Sequence, residues 1–137
     1  MDRLDTEARS RLMSKVRGKD TAPEMAVRRF LHAAGLRYRL HDRTLPGRPD
    51  LVFKSRRVAV FVHGCFWHQH VGCPRAKLPT TRASFWRQKM ETNAARDRRS
   101  IRRLRSMGWR ALVVWECEIG ERSLRRLHGR IVARDGR

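Results

Sequence analysis

The spacing of apolar and polar positions changes along the chain. In residues 6–17, TEARSRLMSKVR, Leu12, Met13 and Val16 make one stripe at helical spacing, which predicts an amphipathic helix. A turn at Gly18–Asp20 separates it from a second helix. There Thr21 is the expected N-cap, Met25, Val27, Phe30 and Leu31 face a core, and Gly35 is the stop. The period then shortens. LRYRLH (36–41) alternates like an edge strand, and TLPGRP is a turn-rich loop. DLVFK and RVAVFV are two short β-rich runs around Ser55–Arg56, most simply a hairpin. Residues 63–82 have no clear period. A long helix is expected over 83–107, closed by Gly108. WRALVVWE groups β-branched and aromatic residues and predicts a buried strand. A last amphipathic helix over 121–133 carries Leu124, Leu127 and Ile131. The order α-α-β-β-β-α-β-α predicts an α/β fold, a mixed sheet flanked by helices.

Length changes this picture little: 137 residues suit one domain, without internal repeat or long linker. Charge changes it more. Lys and Arg number 33 against 13 Asp and Glu, a formal net charge of +20, and only five of the cations are lysine. Arginine binds phosphate bidentately and stacks on bases. Such an excess points to nucleic acid rather than to a general solubility charge, which seldom needs so much of one sign. No apolar run reaches membrane-spanning length, and MDRLDTEARSR has no apolar signal region, so a cytoplasmic location and no membrane are expected. The three cysteines, Cys65, Cys73 and Cys117, are an odd number for a disulfide framework and fit metal ligation better.

The chemistry gathers in VFVHGCFWHQHVGCP, residues 60–74. If the two β runs pair as a hairpin, His63 and the Val62 carbonyl come close to Asp50 at the start of the first run. A metal on Asp50 and a backbone carbonyl, beside a histidine, can activate water against phosphate. From its surroundings alone, Asp50 reads first as an aspartate closing the turn after Gly47-Arg48-Pro49. His63 also reads as a histidine satisfied by backbone. His68 is a second candidate, able to protonate or stabilise a leaving oxygen. Glu24 fits the capping box opened by Thr21, and spacing favours that reading over a supporting base. Cys65, His70, Cys73 and Cys117 form a Cys₃His set suited to structural zinc, against a reading as buried free thiols. Their spacing matches no standard finger. His68 and His70 point the same way if extended and diverge by about 200° in a helical turn, and the sequence leaves that open.

Two aromatic pairs remain. Phe66-Trp67 lies between the proposed ligands, and Phe85-Trp86 opens the long helix. Apolar wedges of this kind unstack base pairs. Trp86, Lys89, Asn93 and Arg96 follow helical spacing and combine an aromatic with amide and cationic donors for bases and phosphates. Phe85 reads as core, Trp67 as a wedge.

These motifs carry a resemblance. PGRPDLVF, FVHGCFWHQHVGC, TTRASFW, NAARDRR and GWRALVVWEC, spread over about residues 9–118, resemble the very short patch repair endonucleases in order and spacing. Those bacterial enzymes nick DNA 5′ of a thymine mispaired with guanine, the product of 5-methylcytosine deamination. The resemblance implies a fold like the type II restriction-endonuclease core (PD-(D/E)xK type) with a structural zinc. It implies magnesium held by Asp50 and the Val62 carbonyl. His63 and His68 would serve acid–base chemistry or phosphate stabilisation, with Glu24 in support, which displaces the turn and cap readings of Asp50 and Glu24. Zinc would sit on Cys65, His70, Cys73 and Cys117. Phe66, Trp67 and Trp86 would intercalate, with Lys89 and Asn93 facing the disturbed pair. Residues 1–20 would form a DNA-gripping helix with Met13, and 21–137 the catalytic core. A monomer on T:G-mismatched duplex in the nucleoid, with accessory mismatch-repair proteins, completes the expectation.

Two departures stand out. The second strand carries Phe61-Val62-His63 where restriction cores have acidic-x-Lys, so Lys54 is not promoted to catalysis. HQHVGC lacks a continuous histidine run and has Gln69 and Gly72 instead, which bears on zinc geometry and on flanking-sequence preference. The rivals are a restriction nuclease cutting unmismatched sites and a zinc-stabilised DNA-binding module without catalysis. Asp50 with two nearby histidines speaks against the second.

Overall fold

The computed structural model describes residues 20–133, so the expected helix over 6–17, Met13 included, lies outside the described residues. The first described helix, α1 (Ala22–Ala33), begins at Thr21, whose hydroxyl accepts the Glu24 N–H at 3.3 Å, with Pro23 in the first turn. It stops where Gly35 takes φ +94°, a left-handed conformation that suits glycine, and the Leu36 N–H turns back to the Leu31 carbonyl at 3.0 Å. That return uses the start of the expected strand 36–41. Only β1 (Arg39–Leu40) remains.

β2 (Leu51–Phe53) and β3 (Val58–His63) form the expected antiparallel hairpin, turned by one 3₁₀ turn at Lys54–Arg56. The chain then crosses through an irregular segment and α2 (Ala83–Ser106). It returns as β4 (Arg110–Trp115), parallel to β3 from Val58↔Arg110 to His63↔Trp115. A parallel neighbour cannot be reached by a tight turn, so a long crossover is required. α3 (Glu121–Val132) follows β4. The sheet order β1-β2-β3-β4 is antiparallel except for the last pair.

Alternation along β3 divides two cores. Val58 and Val60 join Val27 and Leu31 of α1 and Leu124, Leu127 and Ile131 of α3. Ala59 and Phe61 face the other way, with Leu104 and Ile101 of α2. Burying each large aliphatic side chain contributes about 1.5–3 kcal/mol, so β3, covered on both faces, is the rigid centre. His63 continues the Ala59–Phe61 row by the two-residue period of a strand. The sheet thus delivers a histidine to its own edge, on the α2 side. No helix among the described residues is long and apolar enough to cross a membrane.

Candidate active site and cysteine cluster

A cleft of about 530 Å³ opens at this end of the sheet, lined by Glu24, Asp50, His63, His68 and Asp97, with Phe66 and Trp67 on its wall. Asp50 stands just before β2, and its Oδ2 accepts the Val62 N–H from β3 at 2.7 Å. The carboxylate therefore bridges the hairpin and does not close the Gly47–Pro49 turn. Burial pushes its pKa up to about 6; the Val62 hydrogen bond opposes this, while the nearby charge of Glu24 adds to it. Asp50 and Glu24 share this cleft, and a carboxyl held back from ionising beside a second carboxylate is chemistry that a hard divalent cation offsets. Gly47 also lines the cleft. A Cβ there would lie 2.8 Å from the Ser100 Cβ and 3.0 Å from the Phe61 ring, so only glycine lets this loop press against α2.

The segment after β3 settles the two-histidine question. It winds into turns, with the His68 N–H on the Gly64 carbonyl (3.1 Å), the His70 N–H on the Cys65 carbonyl (3.0 Å), and Gln69 at φ +48°. His68 and His70 therefore diverge. His68 stacks on His63, with centroids 3.8 Å apart and planes within 3°, and its Nδ1 lies 2.6 Å from the Asp97 carboxylate on α2. A carboxylate accepts, so Nδ1 donates and Nε2 is the nitrogen left for a ligand. Burial pushes the His63 pKa down to about 3, with the neighbouring His68 adding and Asp97 opposing. His63 is thus uncharged at neutral pH. Its buried Nδ1 has no hydrogen-bond partner among the described residues.

Glu24 satisfies only half of the capping box. Thr21 caps the helix, but the Glu24 carboxylate goes to the Asp20 N–H (3.2 Å), Arg28 Nη1 (3.3 Å) and His41 Nε2 (2.6 Å). It is 2% exposed.

On the far side of His63, Cys65, His70, Cys73 and Cys117 bring one donor atom each within 4.8 Å of all the others. Tetrahedral zinc with Zn–S of about 2.3 Å separates its ligands by roughly 3.7 Å, so the set fits. His70 Nδ1 lies 3.6 Å from Cys65 Sγ and 3.4 Å from Cys117 Sγ, while its Nε2 is 3.9 Å from Glu118. Nδ1 is therefore the atom that faces the thiols and could serve as a ligand, with Glu118 on the other side of the ring. Burial pushes the Cys65 thiol up to about 12, so only a bound cation would draw off its proton near neutral pH. Gln69 donates to the carbonyls of Phe66 (2.7 Å) and Ala76 (3.0 Å) and so ties the loop internally. Trp115 lies between the two sites, stacked on His70 at 4.2 Å and edge-on to His63 at 5.0 Å.

Residues 1–74, more than half of the chain, match the family model described as DNA mismatch endonuclease Vsr. A type II nicking enzyme, V.XorIIP of Xanthomonas oryzae pv. oryzae, is 53% identical over 120 residues, covering 88% of each chain. The chain belongs to the Vsr family. DNA mismatch endonuclease Vsr of Escherichia coli (strain K12) is 46% identical, covering 84% of this chain and 73% of its own. The type II nicking enzyme V.NmeAIP of Neisseria meningitidis is 38% identical, covering 90% and 87%. This Vsr-family chain is a DNA endonuclease.

Within that Vsr fold, several aromatic and polar positions depart from the sequence reading. Phe85, expected in the core, is 43% exposed, with the Arg82 guanidinium 4.4 Å over its ring. Trp67, expected as an open wedge, is 7% exposed; Phe66 lies edge-on to it at 4.9 Å and to Trp86 at 5.6 Å. Asn93, expected to face a base pair, is 8% exposed and donates inward to the Trp67 carbonyl at 3.3 Å, while Arg96 donates to its oxygen at 2.6 Å. Lys89 is half-buried beside buried Met90. Asp97, Trp115 and His41 were not singled out. Asp97 was legible: it shares the inward stripe Met90–Asn93–Asp97–Ile101–Leu104, a carboxylate on a face that α2 otherwise gives to apolar groups and one amide. Trp115 ends a strand like any core aromatic, and nothing in the local pattern marks His41.

Proposed function

We propose that the chain is a magnesium-dependent, strand-specific endonuclease that nicks 5′ of the thymine in T:G mismatches left by 5-methylcytosine deamination, initiating very short patch repair. The observation that carries the chemistry is the Asp97–His68–His63 assembly, facing the same cleft as Asp50 and Glu24. The mismatch preference rests on the family and on the aromatic wall beside that cleft.

Hydrolysis adds water to phosphorus and breaks the bond to the leaving oxygen; one proton leaves the water and one reaches the leaving group. Asp97 orients His68 through Nδ1, as a carboxylate does for a catalytic imidazole, and leaves Nε2 to take or give a proton. His63 is held neutral, which suits hydrogen bonding at the phosphate, and His68, oriented by Asp97, suits proton transfer. Asp50 would hold magnesium with the Val62 carbonyl, and Glu24 would support a water there. When bound, magnesium supplies a Lewis acid for the phosphate and a more acidic water. Zinc would sit on Cys65, His70, Cys73 and Cys117 and fasten the loop that carries Phe66, Trp67 and His68.

The test is nicking of end-labelled duplexes that differ in one base pair, with and without magnesium. The expected result is one nick, 5′ of the thymine, on T:G duplex only. Equal cutting of a matched duplex would point to a restriction-type activity, and binding without cutting to a non-catalytic module.

A further inference from the structure

His41 touches both Asp50 and Glu24 without lining the cleft itself. Its backbone N–H donates to the Asp50 carbonyl at 3.1 Å, and its Nε2 lies 2.6 Å from Glu24 Oε2. A buried carboxylate needs donors, and among the described residues Glu24 has three. The Asp20 N–H is at 3.2 Å and Arg28 Nη1 at 3.3 Å; the imidazole is the shortest. Arg28 is drawn elsewhere, to Asp20 Oδ1 at 2.6 Å. Since a carboxylate accepts, His41 donates through Nε2.

The backbone supports the same assignment. His41 holds φ +48°, a left-handed conformation uncommon in non-glycine residues. Glycine or asparagine is the easier choice for such a bend. The bend ends β1 and turns a side chain from the sheet edge toward the N-terminus of α1. An imidazole at that place ties the end of β1 to the N-terminal turn of α1. The other side of the cleft repeats the arrangement: His68–Asp97 on α2 at 2.6 Å, His41–Glu24 on α1 at 2.6 Å.

We infer that His41 is a positioning residue for phosphodiester hydrolysis, acting through Glu24: it fixes the carboxylate's orientation and its distance from Asp50. The inference rests on the cleft being the nuclease centre. Three variants test it under single-turnover conditions, with duplex affinity and thermal melting measured beside the rate. His41→Ala should slow nicking about 10- to 100-fold, as loss of a group behind a catalytic ligand does. Duplex affinity should stay within about two-fold, since no phosphate contact is removed. His41→Gln keeps one side-chain N–H donor and should recover most of the rate. In the Glu24→Gln background, adding His41→Ala should slow nicking no further, because the two act as one unit. The inference is overturned if His41→Ala nicks at the parental rate, or if the two losses simply add. It is also overturned if the alanine and glutamine variants are equally slow in proportion to lowered melting temperatures. Running matched and T:G duplexes in parallel keeps the two readings apart. A parent without T:G preference counts against the mismatch assignment, yet the coupling between His41 and Glu24 stays measurable on whichever duplex is cut.

Discussion

Replacing Asp50 with asparagine should abolish nicking and, without magnesium, make the protein more stable. The carboxyl ionises near 3.8 when unfolded and at about 6 in the folded chain, chiefly because it is buried. Between those values the folded state binds more protons, so stability from this group is full below about pH 4. It declines as pH rises and is gone above about pH 6. At about 1.4 kcal/mol per tenfold in the proton equilibrium, the burden at neutral pH has an upper bound of about 3 kcal/mol. Relaxation around a half-buried group reduces that to about 1–3 kcal/mol. Asparagine cannot ionise, and its carbonyl oxygen can still accept the Val62 N–H, so the variant escapes the burden. Urea denaturation of parent and Asp50→Asn at pH 4 to 8, in buffers without magnesium, measures the difference. Acid release of any metal bound to the cysteine cluster would affect both chains and cancel. The variant should gain stability above pH 6, and the gain should fade toward pH 4. Magnesium should stabilise the parent only. A variant no more stable than the parent at pH 8, or a gain just as large at pH 4, refutes the reasoning.

Asp97→Asn should reduce the nicking rate by about 10²–10⁴ with duplex affinity nearly unchanged, since it disorients His68 without removing a phosphate contact; a rate within a few-fold of the parent would remove the dyad from catalysis. Trp67→Ala should destabilise the fold by about 3–5 kcal/mol in urea melts, as the loss of a buried aromatic does. Phe66→Ala, at a half-buried ring, should cost less than about 1.5 kcal/mol yet lower T:G preference and the brightening of a 2-aminopurine beside the mismatch. Equal brightening with full preference would make Phe66 a packing residue. Elemental analysis should find about one zinc per chain, and Cys117→Ser should lose zinc and melt earlier; a metal-free parent with unchanged melting counts against the staple.

The layered sheet was legible because period is a local signal. The short continuous apolar run in RVAVFV and the helical spacing in α3 are set by which faces each element buries. The proximity of Asp50 to Val62 followed from the hairpin, whose short turn leaves one register. What stayed hidden depends on three-dimensional direction. The divergence of His68 and His70 is set by backbone turns at 64–70, including a left-handed Gln69 that no propensity announces. Trp67 is buried rather than open, and Asn93, read as a base contact, instead donates inward to the Trp67 carbonyl; Phe85 is exposed, with Arg82 over its ring. His41 reaches Glu24 across 17 residues of chain, through a bend without sequence warning.

The column of rings His68–His63–Trp115–His70 bears on how inherited variation in this chain is to be interpreted. Among the described residues nothing hydrogen-bonds His63 Nδ1 to hold its orientation, so its ring depends on the faces and edges beside it, His68 on one side and Trp115 on another. Trp115 depends in turn on His70, and His70 on the cysteine cluster. A substitution at Cys73 or Cys117 can therefore tilt an imidazole two rings away. In a genetic screen scored by nicking, such alleles would fall into the same class as lesions in the proposed catalytic residues. Only a structural readout would sort one from the other.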